Sequence, residues 1–262
     1  MVTKKRLDVL VFERGLAPTR TKAQAYIMAG EVLVNEQRVD KAGTKFAEDV
    51  EIRVKNRPQY VSRGGEKLAG ALSDFGFDPS GLICADVGAS TGGFTDCLLQ
   101  NDAKRVYAID VGYGQLAYKL RSDERVVVLE RTNARYLEAL DEKVSLVVVD
   151  ASFISLNILL PAIKLWLQDE ADVIALIKPQ FEAGKKEVKK GGFVRDQSVH
   201  RRVIRNVAGF AETLGFTVAG LTISPIKGLK EGNTEFLIRL HYGDDGGAIS
   251  LEAVIKDVLA RV

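Results

Sequence analysis

Asp86-Val87-Gly88-Ala89-Ser90-Thr91-Gly92-Gly93-Phe94 follows the apolar run Leu82-Ile83-Cys84-Ala85 and opens a helical pattern. A strand that turns through glycines into a helix lets the backbone pass close to a ligand. It also presents free helix N-terminal amides at the carboxyl edge of a sheet. A nucleotide-like ligand suits such a turn, although a plain tight connection would use the same residues. The spacing is not the Gly-x-Gly-x-x-Gly of a dinucleotide site. A second apolar run ends in Ala108-Ile109-Asp110, which puts a carboxylate 22 residues after Gly88. At a strand tip, that carboxylate can accept both hydroxyls of a ribose.

Outward from this turn the chain alternates apolar strands, at 82–87, 106–109, 126–129, 144–149, 173–177, 216–223 and 236–240, with mostly helical segments. Leu146-Val147-Val148-Val149 is apolar without alternation, as expected for a parallel strand covered on both faces. This predicts an α/β, doubly wound sheet. Only a short loop separates the last two strands, too little for a crossover helix, so they should pair antiparallel as a hairpin at the sheet edge.

Polar groups fall at the strand tips. Asp150 ends one strand, Lys178 ends another, and Glu235 begins the last, while Lys67 lies in a helical segment after Gly64-Gly65. Taken singly, Lys178 with Glu235 would be an ordinary rim ion pair and Lys67 an exposed lysine. The segment 182–195, rich in lysine and glycine, is either a surface loop or a flap over a ligand.

The first 65 residues carry 13 Lys/Arg against 8 Asp/Glu, a balance of +5 within a chain of net charge +2. A small basic module on a near-neutral body suits a polyanion, since phosphate contacts supply affinity without sequence reading. Leu7, Val11 and Leu16, then Ala23, Tyr26 and Ile27, keep helical spacing, and Thr19 can cap the second helix. Short strands around Val32, Val34, Val39, Val50, Ile52 and Val54 follow, with a turn at Asn35-Glu36. Arg20 and Lys22 occupy a helix first turn, where the macrodipole prefers acids, so they favour a phosphate partner over stability.

Arg6-Leu7-Asp8, Thr19-Arg20-Thr21-Lys22-Ala23, Ile27-Met28-Ala29-Gly30 and Val32-Leu33-Val34-Asn35 resemble the S4-type RNA-binding domain. The resemblance implies that Arg6, Arg20, Lys22, Arg38 and Lys41 face RNA phosphates, with Arg57 and Arg63 of the linker counted to the same surface. The glycine turn with Asp110 resembles the S-adenosylmethionine site of Rossmann-like methyltransferases, which also carry an antiparallel edge strand. By that resemblance Gly88, Ser90, Gly92 and Gly93 line the methionine and ribose side, Asn133 sits by the adenine, and Asp86, Thr91, Phe94 and Asp150 complete the cofactor set. No metal is implied. Lys67, Asp150, Lys178 and Glu235 resemble, in the same order, the Lys-Asp-Lys-Glu tetrad of FtsJ-type ribose 2′-O-methyltransferases. With Lys178-Pro179-Gln180-Phe181-Glu182 and Gly232-Asn233-Thr234-Glu235-Phe236, the whole chain resembles the TlyA family, often called hemolysins. Its members methylate a cytidine 2′-hydroxyl in 16S and 23S ribosomal RNA.

The resemblance therefore implies an S4-type domain over 1–55, a linker over 56–63 and an FtsJ-type methyltransferase domain over 64–262. Its partner is ribosomal RNA within 30S or 50S subunits, with no obligate protein partner. Methyl transfer from a sulfonium needs an aligned hydroxyl and a base, not leaving-group protonation. Lys178 is the expected base and Asp150 its orienter near the sulfonium, with Lys67 and Glu235 as positioning groups.

Two other functions compete with this one. A membrane-active hemolysin would need a long apolar run, a pore segment or a signal peptide, and the sequence offers none. A non-catalytic ribosome-assembly factor would bind RNA and transfer nothing. Cys84 and Cys97, both at expected core positions, form no disulfide framework, consistent with a cytoplasmic protein.

Overall fold

The computed structural model describes residues 4–55, 58–184, 186–227, 232–244 and 247–262. It divides into two compact units, Met1–Val61 and Ser62–Val262. The first unit runs β1 (Lys4–Arg6), α1 (Leu7–Glu13), α2 (Arg20–Met28), β2 (Val32–Val34), β3 (Gln37–Arg38), β4 (Lys45–Ala47) and β5 (Ile52–Val54). Thr19 Oγ1 accepts the Lys22 backbone N–H at 3.1 Å and caps α2, a bond worth about 1 kcal/mol. The helical apolar positions Leu7, Val11, Ala23, Tyr26 and Ile27 bury against Val32, Val34 and Val54. Asn35 and Glu36 both take left-handed conformations, φ 47° and 63°, the primed turn that matches strand twist between β2 and β3. The sequence pattern begins this module with a helix, whereas β1 comes first. Lys4-Lys5-Arg6 has no apolar alternation and is strand only because it pairs with β4, some forty residues on.

In the second unit, α3 (Gly64–Phe75) precedes β6 (Ile83–Val87), α4 (Gly93–Gln100), β7 (Arg105–Ile109), α5 (Tyr118–Arg121), β8 (Val126–Leu129) and β9 (Val144–Val149). Then come α6 (Leu156–Lys164), β10 (Leu167–Ile177), α7 (Pro179–Glu182), α8 (Gln197–Thr213), β11 (Phe216–Ile223), β12 (Phe236–Tyr242) and α9 (Leu251–Leu259). One seven-stranded sheet has the order β11-β12-β10-β9-β6-β7-β8. From β6 the chain steps outward to β7 and β8, then returns to β9 on the other side of β6. That reversal is a topological switch point, and it opens a crevice at the carboxyl ends of β6 and β9.

The β11–β12 hairpin closes one edge of the sheet as expected. Its reversed member, β12, lies one strand in from the rim, between β10 and β11. Strand β10 begins earlier than its apolar run, at Leu167, because its polar start pairs irregularly with β9. Between β8 and β9 there is no α-helix, only a 3₁₀ turn at Ala134–Tyr136.

Candidate active site

The glycine turn sits at the switch point. Gly88 has φ 85°, and a Cβ there would lie 2.8 Å from the Asp150 carbonyl oxygen, so only glycine lets the β6 and β9 ends approach this closely. Gly92, at φ 94°, would meet the side chains of Leu120 and Leu116, and Gly93 would meet Ser62 Oγ and the Gly65 amide. Beside the turn lies a cleft lined by Ala89, Ser90, Asp110, Gln115, Val128 and Glu130, among others. At its floor, Asp110 Oδ2 accepts the Ser90 N–H at 2.8 Å and Oδ1 the Gly112 N–H at 2.6 Å. Each carboxylate oxygen keeps a further lone pair for a ribose hydroxyl. An acceptor-only carboxylate beside a cradle without Cβ atoms fits the ribose and methionine ends of S-adenosylmethionine.

Asp86 and Phe94 stand apart from this cleft. Asp86 is fully buried, and its Oδ2 accepts the Thr95 N–H at 2.9 Å and the Thr95 hydroxyl at 2.6 Å. Its side chain therefore anchors α4 to β6. Phe94 is buried too and turns its ring edge toward Gly64. Thr91 and Asn133 are exposed, and Asn133 Oδ1 caps the 3₁₀ turn through the Arg135 N–H at 3.1 Å.

Burial pushes the Asp86 carboxyl up to about 7, outweighing the Thr95 hydrogen bonds that favour its charge. The folded protein thus holds this proton more tightly than the unfolded chain. The resulting stabilisation is complete below the ordinary carboxylate value and is lost as pH rises through about 7. Asp86→Asn should flatten the stability profile between pH 4 and 7, where the wild-type slope from this group reaches up to about 1.4 kcal/mol per pH unit. Urea unfolding of both proteins at several pH values measures it.

The three strand-tip groups and Lys67 of α3 form two ion pairs, and neither is the Lys178–Glu235 rim pair. Lys178 Nζ lies 2.5 Å from Asp150 Oδ1, and Lys67 Nζ lies 2.6 Å from Glu235 Oε2. Strand register brings the pairs to one edge. Ile177 stands opposite Phe236 and Ala175 opposite Val149, so Glu235, Lys178 and Asp150 head three adjacent strands. Side-chain exposure is 8% for Lys178, 12% for Lys67 and 3% for Glu235, with Asp150 more open at 22%. Pairing and partial burial keep all four in defined geometry at the mouth of the crevice.

Three groups were not among the residues singled out from the sequence. Ser152 Oγ lies 2.9 Å from Lys178 Nζ. Gln115 and Glu130 line the cleft beside the glycine turn, and Glu130 accepts the Gly114 N–H at 2.8 Å. Asp-x-Ser directly after an apolar strand was the available clue for Ser152. Within the segment 182–195, of which Lys185 lies outside the described residues, the Gly192–Val194 end is tied down. Asn233 Oδ1 accepts the Val194 N–H at 2.9 Å and its amide donates to the Gly192 carbonyl at 2.7 Å, which clamps this loop two residues before Glu235.

In the first unit several basic residues have intramolecular partners. Arg6 and Arg20 both bind Asp8, at 2.9 and 3.0 Å, and Gln24 joins them at 2.7 Å. Asp8 is fully buried, and the Arg6 hydrogen bond foremost holds its carboxyl well below the usual range. Both arginines keep about half their side-chain surface exposed, 44% and 51%. Lys22 lies over the Tyr26 ring, and the Arg38 guanidinium covers Gly30. Lys41 is exposed, while Arg63, in the second unit, donates to the Lys227 carbonyl at 3.0 Å. Arg57 lies outside the described residues. Asp8→Ala should destabilise the first unit by about 1–3 kcal/mol, since charge-assisted bonds to a buried carboxylate are lost. Thermal unfolding reports the loss, and salt-dependent RNA binding should weaken with it.

A doubly wound sheet with a reversed penultimate strand, a glycine cradle and an acidic second strand tip defines an S-adenosylmethionine-dependent methyltransferase. The chain belongs to the FtsJ-like methyltransferase family, whose model matches residues 60–242, and an S4 domain matches residues 5–52. YqxC of Bacillus subtilis is 50% identical over 97% of this chain and 93% of its own length. The 16S/23S rRNA (cytidine-2′-O)-methyltransferase TlyA of Mycobacterium tuberculosis is 44% identical over 94% of this chain and 92% of its own. A solved structure from Streptococcus thermophilus, described as a candidate hemolysin, shares 45% identity with a TM-score of 0.74. It covers all of this chain and 96% of that one. Among the described residues, no helix is long and apolar enough to cross a membrane.

Proposed function

We propose that this chain transfers methyl from S-adenosylmethionine to a cytidine ribose 2′-hydroxyl of 16S or 23S rRNA, acting in the cytoplasm on ribosomal subunits. The observation that carries it is the pair of lysine–carboxylate bridges, Lys178–Asp150 and Lys67–Glu235, which join three adjacent strand ends and α3 beside the glycine cradle. The organisation in this reading is an S4-type RNA-binding domain over 1–55, a linker over 56–63 and the methyltransferase domain over 64–262. The names of relatives over most of the chain support the substrate class.

Bound S-adenosylmethionine supplies a methyl made electrophilic by its sulfonium. Asp110 would hold its ribose end, and Gly88, Gly92 and Gly93 would let its methionine end approach the backbone. Lys178, in its neutral form, takes the 2′-hydroxyl proton, with Asp150 directing the amine. Lys67 and Glu235 fix the target ribose in line with the methyl, since alignment supplies much of the rate in such displacements. Arg6, Arg20, Lys22, Arg38 and Lys41 keep exposed surface for RNA phosphates, whose neutralisation makes binding steeply salt-dependent. Arg57, outside the described residues, and Arg63 are assigned to the same RNA contact by the family resemblance.

Labelled methyl transfer to isolated, unmodified 30S and 50S subunits tests the reading, with 2′-O-methyl-sensitive primer extension locating the product. Ribose label on either subunit is the expected result. Cofactor binding with no transfer to any rRNA would reject the substrate assignment and favour an assembly factor.

A further inference from the structure

We propose that Ser152 is a positioning residue for methyl transfer, its hydroxyl directing the Lys178 amine and exchanging the proton that Lys178 gains in each turnover. The inference rests on the methyl-transfer reading above. Three oxygens surround Lys178 Nζ: Asp150 Oδ1 at 2.5 Å, Ser152 Oγ at 2.9 Å and the Asp150 carbonyl at 3.5 Å. An ammonium has three hydrogens and no lone pair, so these three acceptors account for all of its donors. A neutral amine has two hydrogens and one lone pair. A carboxylate and a carbonyl can only accept, and they retain the two remaining N–H groups. The position left for the lone pair is the one facing Ser152, and of the three partners only a hydroxyl can change from acceptor to donor.

The chemistry follows from that asymmetry. The ribose oxygen forms its bond to the methyl carbon as the methyl–sulfur bond breaks, with the electron pair staying on sulfur. The ribose hydroxyl takes the place of the Ser152 hydroxyl at the lone pair and its proton passes to Nζ; as the product leaves, the ammonium again donates to Ser152. Lys178 is buried while Ser152 is exposed, so the hydroxyl can accept a proton from Nζ as it releases its own to solvent. One proton enters from the ribose and one leaves to water, which restores the neutral amine.

The loop holding Ser152 is placed independently of this bond. Ser155 Oγ donates to Glu182 at 2.6 Å, and the Leu156 N–H donates to the same carboxylate at 2.8 Å. These bonds fasten the loop to α7 on its far side. Loss of the Ser152 hydroxyl should therefore leave the fold intact.

The test compares wild type, Ser152→Ala and Ser152→Thr in methyl transfer to unmodified ribosomal subunits, with thermal unfolding and S-adenosylmethionine binding measured alongside. Removing an orienting partner typically costs about 10- to 100-fold. The expected result is a kcat loss of that size in Ser152→Ala, unchanged KM for cofactor and subunit, and recovery to within about threefold in Ser152→Thr. Ser152→Ala at the wild-type rate, a change confined to KM, or a threonine variant as slow as alanine would each overturn the inference while the methyl-transfer reading stands. A wild type that binds cofactor and methylates no rRNA would overturn both.

Discussion

Lys178→Ala should lower the methyl-transfer rate at saturating cofactor and subunit by about 10²- to 10⁴-fold, the range that a positioned base supplies. Cofactor affinity should change only a few-fold, because the glycine cradle and Asp110 do not touch this side chain. The alanine variant removes two things at once, the proton acceptor and the cation bridging Asp150 to the β10 end. Lys178→Arg separates them. A guanidinium keeps the charge beside Asp150 but stays protonated at every working pH and cannot act as a base. Both variants should be equally slow in single-turnover transfer, with arginine unfolding near the wild-type temperature. An arginine variant within tenfold of wild type would show that the cation, and not the base, matters at this position.

Gly88→Ala should weaken S-adenosylmethionine binding by at least about tenfold and slow transfer further. Two costs coincide there. The backbone has φ 85°, a region in which a side chain costs about 1–3 kcal/mol. The new Cβ would also sit 2.8 Å from the Asp150 carbonyl and 3.1 Å from Ala151 Cα, both on backbone that cannot swing aside. Relief requires the β6 and β9 ends to part. That movement widens the cradle and shifts Asp150 away from Lys178, so binding and chemistry fail together. Calorimetric cofactor titration and single-turnover rates on the same preparation would show it. Gly76→Ala is the control: it too is left-handed, at φ 56°, but has nothing within 4 Å of its Cβ. It should reduce stability alone, with cofactor affinity untouched.

The glycine turn, Asp110 and the strand-tip positions of Asp150 and Lys178 were legible because their signals are local, while the grouping with Lys67 and Glu235 came only from the resemblance. A strand that ends in Asp86-Val87-Gly88, a carboxylate 22 residues later and charged residues just past apolar runs are each read within a few residues. The parallel sheet was legible for the same reason, since strands buried on both faces, such as β9, lose the alternation of half-buried ones. Less visible were elements that depend on a distant partner. Strand β1 has no apolar pattern and exists through its pairing with β4. Asp86 reads as part of the ligand turn, yet it is sealed beneath it and serves Thr95.

By itself the sequence determined a small basic module followed by a doubly wound α/β body with polar groups at its strand tips, and its resemblance to the S4-type and FtsJ-type families supplied the class. Periodicity and turn chemistry act over a handful of residues, and they are written along the chain. Tertiary structure alone decided who pairs with whom. Lys67 reaches Glu235 across 168 residues, and Lys178 takes Asp150 and Ser152 instead of the glutamate beside its own strand end. It also set Asp8 between Arg6 and Arg20, which leaves half of each arginine open. Such choices come from strand register and burial, where a buried charge takes the partner that packing brings within reach, and no spacing along the chain encodes that distance.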